Sequence, residues 1–390
     1  MNSCLLSFLP AGAYGFFNTV TLAVFLLIFV MLCACREPVP PRRWKLVHPQ
    51  LSAIGFLCQN LQVLNVGQLS TLVKMRCLAA ELRAIVFLSI SGLAAFFCRA
   101  QDLAPRAYVI TPLHSNAVNL TYSFFDGNII FDGTVPITGA TARVSVSILS
   151  LSHSLNFFGR TATFTASMPY GVGNFRGTVA DAETLAYRSG LLPSSFRFSV
   201  NLMGGPAMNV EEYLKWRQKT IIGVSIKLVP SMGQYDPTKL INLGANRWAL
   251  KPELGYSRRW GHWILDAYGG VWFFTTNSDF FSRNQFSPGT NTQSQSPTGS
   301  FEGHLSYDFK AKLWVSLDGN YWFGGSTSLN GVQNDATRQR NSRVGATASI
   351  PLTRHQSIKL SYNDGAYIRY GGNYQNVSVG WQYSWLGRPN

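Results

Sequence analysis

A chain of 390 residues with only 13% charged side chains, about half the usual share of a soluble domain, is not built like an ordinary soluble enzyme. Aromatic residues also reach 13%, glycines number 35, and mean hydropathy is +0.05, too low for a helical membrane bundle throughout. The net charge of +15 is scattered singly along the chain with no basic run or basic helix, which argues against nucleic acid as a partner.

The first hundred residues read differently from the rest. Gly15 to Cys35 is an apolar run of about 20 residues, followed by Arg36, Arg42, Arg43 and Lys45, the pattern of a transmembrane helix. Met75 then opens a second export-like segment, in which Arg76 and Arg83 precede the apolar run from Ala84 to Phe97 and Cys98-Arg99-Ala100. A basic start, an apolar middle and a small residue at the end describe a secretory signal peptide cleaved after Ala100. Glu81 and Cys98 depart from the ideal pattern. Two export signals in series make little sense for one mature protein, so residues 1–74 are read as an over-extended start, with an inner-membrane anchor as the rival. Cys4, Cys33, Cys35, Cys58, Cys77 and Cys98 all fall in this region. The cysteine-free remainder suits passage through an oxidising periplasm and offers no disulfide framework, metal site or cofactor site.

From Asn116 onward, stretches of about ten residues alternate apolar and polar side chains. Alternate strand residues point to opposite faces, so one face meets lipid and the other water. The clearest stretch sets Leu313, Val315, Leu317, Tyr321 and Phe323 against Trp314, Ser316, Asp318, Asn320 and Trp322. Segments centred near residues 120, 147, 165, 199, 225, 251, 268, 305, 318, 346, 362 and 380 predict an all-β, closed, antiparallel up-and-down barrel of 12 strands over residues 101–390. Short connections at Arg259–His262, Lys310–Lys312 and Thr353–Gln356 are assigned to the periplasm. Longer polar ones at Gly171–Ser194, Asn277–Gly299 and Ser326–Asn341 face outward. One periplasmic connection, Pro206–Arg217, reads as a short helix capped by Asn209 with Glu212 three residues on, lying either in the barrel mouth or under its rim.

The last strand places Val377, Val379, Trp381, Tyr383 and Trp385 on one face. Ser378, Gly380, Tyr383 and Trp385 resemble the C-terminal signal read by barrel-insertion machinery, with Leu386–Asn390 following where that signal often ends the chain. The segments Gln101–Tyr108, Leu202–Met208, Gly233–Pro237, Leu240–Trp248 and Lys251–Gly255 resemble, in order, the family of meta-pathway phenol-degradation proteins of the outer membrane. The resemblance spans about residues 101–386. It implies a barrel in the bacterial outer membrane, in contact with its lipid, that takes up small hydrophobic or aromatic compounds.

Inward positions are assigned to the cations Arg143, Arg197, Lys227, Arg247, Lys251, Arg343, Lys359 and Arg369, and to the anions Glu253, Asp266, Glu302, Asp308 and Asp318. Such charges either pair across a closed lumen or tune a water-filled pore, and a 12-strand interior is expected to be narrow or plugged. Arg247, Lys251, Glu253 and Asp266 form the expected functional cluster, against the plainer reading of a structural salt-bridge network. Trp272, Trp314 and Trp322 offer stacking surfaces to an aromatic solute, or fill the lumen. A lipid hydrolase needs a Ser–His pair with a third orienting group, and only His114-Ser115-Asn116 is compact. A channel is therefore expected ahead of a structural or adhesin-like barrel, and an enzyme last.

Overall fold

The computed structural model describes residues 104–130, 137–179, 182–239, 241–284 and 288–387. The apolar Gly15–Cys35 segment and the Met75–Ala100 leader lie outside these residues. In chain order the strands are β1 (Ser115–Ile130), β2 (Ile137–Phe157), β3 (Arg160–Val179), β4 (Ala182–Leu191), β5 (Ser195–Met203), β6 (Thr220–Val229), β7 (Ala249–Trp260) and β8 (Trp263–Phe274). They continue with β9 (Gln293–Gln295), β10 (Thr298–Lys310), β11 (Leu313–Gly324), β12 (Thr327–Leu329), β13 (Val332–Asn334), β14 (Gln339–Pro351), β15 (Gln356–Ile368) and β16 (Gly371–Leu386). Setting aside β4, β9, β12 and β13, the other twelve pair antiparallel around one wall, and β1 closes on β16 from Ser115↔Leu386 to Ile130↔Gly371. Each of the twelve segments expected from alternation falls within one of these strands.

Closure follows from the solvent. In hydrocarbon a free sheet edge leaves peptide groups unpaired, so only a closed barrel satisfies them all. The alternation then sorts the faces. Leu317, Leu254 and Ile226 stand exposed on the outer face, whereas Ser225, Ser306, Ser316, Asp318 and Asn320 are buried inside. The periplasmic turns are tight. Phe157 pairs with Arg160 across Phe158 (φ 50°) and Gly159 (φ 76°), the two positive-φ residues that a two-residue hairpin requires.

Strands β2 and β3 run for 21 and 20 residues, about twice what a membrane crossing needs. The excess, joined by β4, projects beyond the outer leaflet, so Gly171–Leu191 is largely sheet rather than the expected loop. In this projection the alternation changes sense. Ala142, Val144, Val146 and Phe175 turn inward and cluster with Leu192 and Leu243, while Arg143 turns outward to Asp126, 3.1 Å away. Arg143 is thus an outer-face residue and not a lumen cation: above the membrane, water lies outside and the folded mouth is the apolar side. Arg369 is likewise outward. A bulge at Ala366 on β15, opposite Ser342 and Arg343 of β14, shifts the register, so Ile368 is buried inside and Arg369 is exposed.

Helix α1 (Val210–Lys215) carries the expected capping box, with Asn209 and Glu212 exchanging side-chain to backbone hydrogen bonds. Tyr213 and the following Trp216 pack against the buried cluster of Tyr108, Ile110, Met208, Ile221 and Tyr268. The helix therefore closes over the periplasmic mouth. At the outer end, β9, β12 and β13 form a separate three-stranded sheet. The connection 230–248 folds over the mouth, with Gln234 N donating to Leu191 O at 2.8 Å. There burial pushes the Tyr235 hydroxyl up to about 12, and hydrogen bonding from Thr238, ahead of Lys239, holds the Asp236 carboxyl down at about 2.

Candidate functional site

A belt of charged and hydrogen-bonding side chains crosses the lumen from β5 to β11. Arg197 Nη2 lies 3.0 Å from Glu253 Oε1, and Lys251 Nζ lies 2.7 Å from Glu253 Oε2 and 2.9 Å from Glu302 Oε1. Glu302 Oε2 is 4.0 Å from His304 Nε2, and His304 Nδ1 is 2.8 Å from Asp318 Oδ1. Asp318 also accepts from Ser316 Oγ and Thr347 Oγ1, both at 2.6 Å. Lys251, Glu302, His304 and Asp318 are all buried, and polar or charged groups so removed from water are stable only when each finds an opposite charge or a hydrogen bond.

Strand geometry explains how the belt assembles. Lys251 and Glu253 are two apart on β7 and share the inward face. Strand β8 separates them from Glu302 on β10, and the residue opposite Glu253 on β8 is Gly270. A Cβ at Gly270 would stand 2.8 Å from Lys251 Cε and 2.9 Å from Pro252 O, so only glycine lets the lysine side chain pass over β8.

Residues 104–114, which precede the first strand, lie inside the barrel in its periplasmic half. Tyr108 seats its ring over Gly223 and Gly255, which face each other on β6 and β7. A Cβ at either position would meet that ring at 2.4 and 2.1 Å. The Tyr108 hydroxyl donates to Glu253 Oε1 at 3.0 Å, Arg197 Nη1 donates to Ala107 O at 3.1 Å, and Tyr268 Oη accepts from Ala107 N at 3.0 Å. Arg106 N donates to Asp266 Oδ2 at 3.2 Å. Its guanidinium pairs with Asp308 at 2.5 Å and stacks 4.2 Å from the centroid of Trp314. Asp308 is held from the other side by Arg259, also at 2.5 Å. Between this segment and the wall lies a cavity of about 220 Å³, lined by hydroxyls from Thr165, Ser167, Ser195 and Ser225 and by charges that include Arg197, Lys227 and Glu302.

The structure divides the expected cluster. Lys251 and Glu253 come together and acquire Glu302, which alternation had placed inside without a partner. Arg247 lies just before β7 at the outer end, bonded to Gln295 and 4.9 Å from the Phe274 ring centroid. Asp266 serves the N-terminal segment. Trp272, Trp314 and Trp322 are all inward and buried. Trp314 is already faced by Arg106 and Lys359, and Trp272 by Lys227 and Lys251, so neither presents an open stacking face. Asp318 belongs to the belt through His304. Sequence reasoning missed the role of Arg106 and Tyr108. The signal available was the pair Gly223 and Gly255 at inward positions, an absence of side chains that something else had to fill.

At the other end of the chain Ser378 bonds to Ser123 at 2.8 Å inside the wall, and Gly380 sits against Thr121. Tyr383 and Trp385 stack outward, 5.7 Å between centroids. His114, Ser115 and Asn116 form no catalytic array. Ser115 Oγ donates to Pro112 O, and Asn116 Oδ1 bonds His153 Nδ1.

A family model described as "Putative MetA-pathway of phenol degradation" matches residues 126–374. No curated protein sequence matches the chain. Among solved structures, the COG4313 outer membrane channel from Pseudomonas putida F1 superposes with a TM-score of 0.60 at 16% identity, over 72% of this chain and 99% of that one. The beta domain of the Bordetella autotransporter BrkA follows at a TM-score of 0.43 and 13% identity, over 70% and 100% of the two chains. The first of these likenesses shows a shared barrel fold.

Proposed function

The chain belongs to the family of the MetA pathway of phenol degradation, and from that premise we propose that this outer-membrane barrel is a channel for small hydrophobic or aromatic compounds. The observation that supports it best is the outer mouth. There Val144, Val146 and Phe175 face inward with Leu192 and Leu243, where a pore for hydrophilic solutes would present polar groups. That cluster is packed shut under Leu192 and Leu243, so an apolar solute would leave water where this packing parts, and the belt and residues 104–114 then bar the way until they move. The similar barrel from Pseudomonas putida is an outer membrane channel, which agrees with this reading.

The same proposal takes residues 75–100 as a cleaved leader, Gln101 as the mature N-terminus, and Ser378, Gly380, Tyr383 and Trp385 as the insertion signal. Mass spectrometry of the mature protein checks the first part, and a recovered peptide from residues 36–74 would refute it. For transport, a deletion strain should take up labelled aromatic compounds more slowly than its parent, and uptake should return with the wild-type gene. Unchanged uptake, together with silent planar bilayers, would remove the channel reading. An adhesin-like barrel is the second reading, favoured by the projecting β2–β3–β4 sheet. A lipid hydrolase is disfavoured because Ser316 bonds Asp318, the acid, instead of facing the His304 ring as a nucleophile.

A further inference from the structure

The outer rim at β14 and β15 carries a cluster of three arginines with which no acid among the described residues pairs. Arg338 ends the short 3-10 turn Asp335–Thr337, and Arg340 follows on β14. Arg340 points to the membrane side with Ser342 and Val344. Arg369 follows β15, and the pairing Asn341↔Ile368 sets Arg340 and Arg369 side by side, tied by a 2.8 Å bond from Arg369 N to Asn341 Oδ1. All three arginines are exposed. Elsewhere on the outer rim exposed arginines hold acids: Arg143 with Asp126 at 3.1 Å, Arg176 with Glu183 at 3.2 Å, and Arg283 with Asp279. Among the described residues, the side chains of Arg338, Arg340 and Arg369 make no ion pair or hydrogen bond. The nearby acids Asp364 and Asp335 bond to the neutral amides of Gln375 and Gln333 and not to these arginines, and two carboxylates leave the three guanidiniums in excess.

Height decides what these cations meet. Phe323 pairs with Arg340 across β11 and β14, and Tyr367 precedes Ile368 on β15; both rings are exposed on the outer face. Aromatic girdles mark the boundary between acyl chains and headgroups, so guanidiniums level with and just above these rings lie in the headgroup layer of the outer leaflet. The planar fork of arginine matches a phosphate with two parallel hydrogen bonds. We infer that Arg338, Arg340 and Arg369 form a docking site for the phosphate groups of an outer-leaflet glycolipid, whose acyl chains run down the apolar outer faces of β11, β14 and β15.

Titration of the detergent-solubilised full barrel with lipid A, in diphosphorylated and dephosphorylated forms, tests this by native mass spectrometry. The phosphorylated form should bind at least about tenfold more tightly, as expected for three cations facing an anionic surface. The triple variant R338Q/R340Q/R369Q should lose that preference. R354Q, which removes an exposed arginine from the periplasmic turn, should keep it. Should the triple variant fail to show the heat-modifiable mobility of a folded barrel, R340Q and R369Q singly take its place. Equal binding of the two glycolipids, or an equal loss in R354Q, overturns the site.

Discussion

Lys251 stands between two carboxylates, and its neighbours define what each substitution there should do. K251M leaves Glu253 and Glu302 buried and facing each other without the shared cation. Removing one partner of a buried ionic group typically costs about 3–5 kcal/mol. The variant should therefore lose its heat-modifiable folded form at a clearly lower temperature than wild type, and K251M/E302Q should recover part of the loss. Equal melting of K251M and wild type would show that the belt is dispensable for stability. G270A is expected to resemble K251M in milder form, because its methyl would collide with Lys251 Cε. These residues also show what the sequence allowed to be read. Lys251 and Glu253 were legible as an inward pair because spacing by two is the period of a strand. Their contact with Glu302 was not, since it depends on reaching across β8 at the one inward position there that a glycine leaves empty.

At the scale of elements, strand existence was legible and strand extent was not. Alternation located all twelve wall strands because each has lipid on one side. It misassigned Arg143 because above the membrane the same alternation carries the opposite meaning. The place of segment 104–114 inside the barrel was not legible, for it has no periodicity and its anchors are long-range: Asp308, Asp266, Glu253 and the glycine slot. That slot makes the segment's role testable. G255A places a methyl 2.1 Å from the Tyr108 ring and should expel it, whereas Y108A removes the ring and leaves the wall intact. Both should raise single-channel conductance in planar bilayers, with G255A losing more stability. If neither changes conductance, residues 104–114 do not limit the path. Helix α1 offers a milder test. N209A removes the side-chain half of the capping box, worth about 1 kcal/mol, and should speed amide exchange in residues 210–216 without moving the barrel's melting.

The barrel stacks two chemistries along its axis, an apolar mouth above a charged waist, and the proposed function depends on their order. A hydrophobic solute crossing the outer leaflet's polar layer needs an apolar surface before it meets the belt. Val144 and Val146 would supply it once the packing of Leu192 and Leu243 over them parts; both lie buried on the inner face of β2 just above the height where the alternation changes sense. V144D/V146D would put two carboxylates into that cluster beside Phe175 and Leu243. Part of any loss would be structural, since burying an unpaired charge destabilises whatever surrounds it. V144T/V146T is therefore the better probe. It keeps the β-branched shape and adds only hydroxyls, so the wall should still assemble, as heat-modifiable mobility would show. Uptake of labelled aromatic hydrocarbon by cells carrying the threonine variant should fall several-fold, while single-channel conductance for small ions, limited lower down by the belt and by Tyr108, should stay at the wild-type level. A parallel fall in both would place the barrier at the mouth for every solute and leave hydrophobicity without a part in selection. Unchanged uptake would move the entry of apolar solutes away from this cluster.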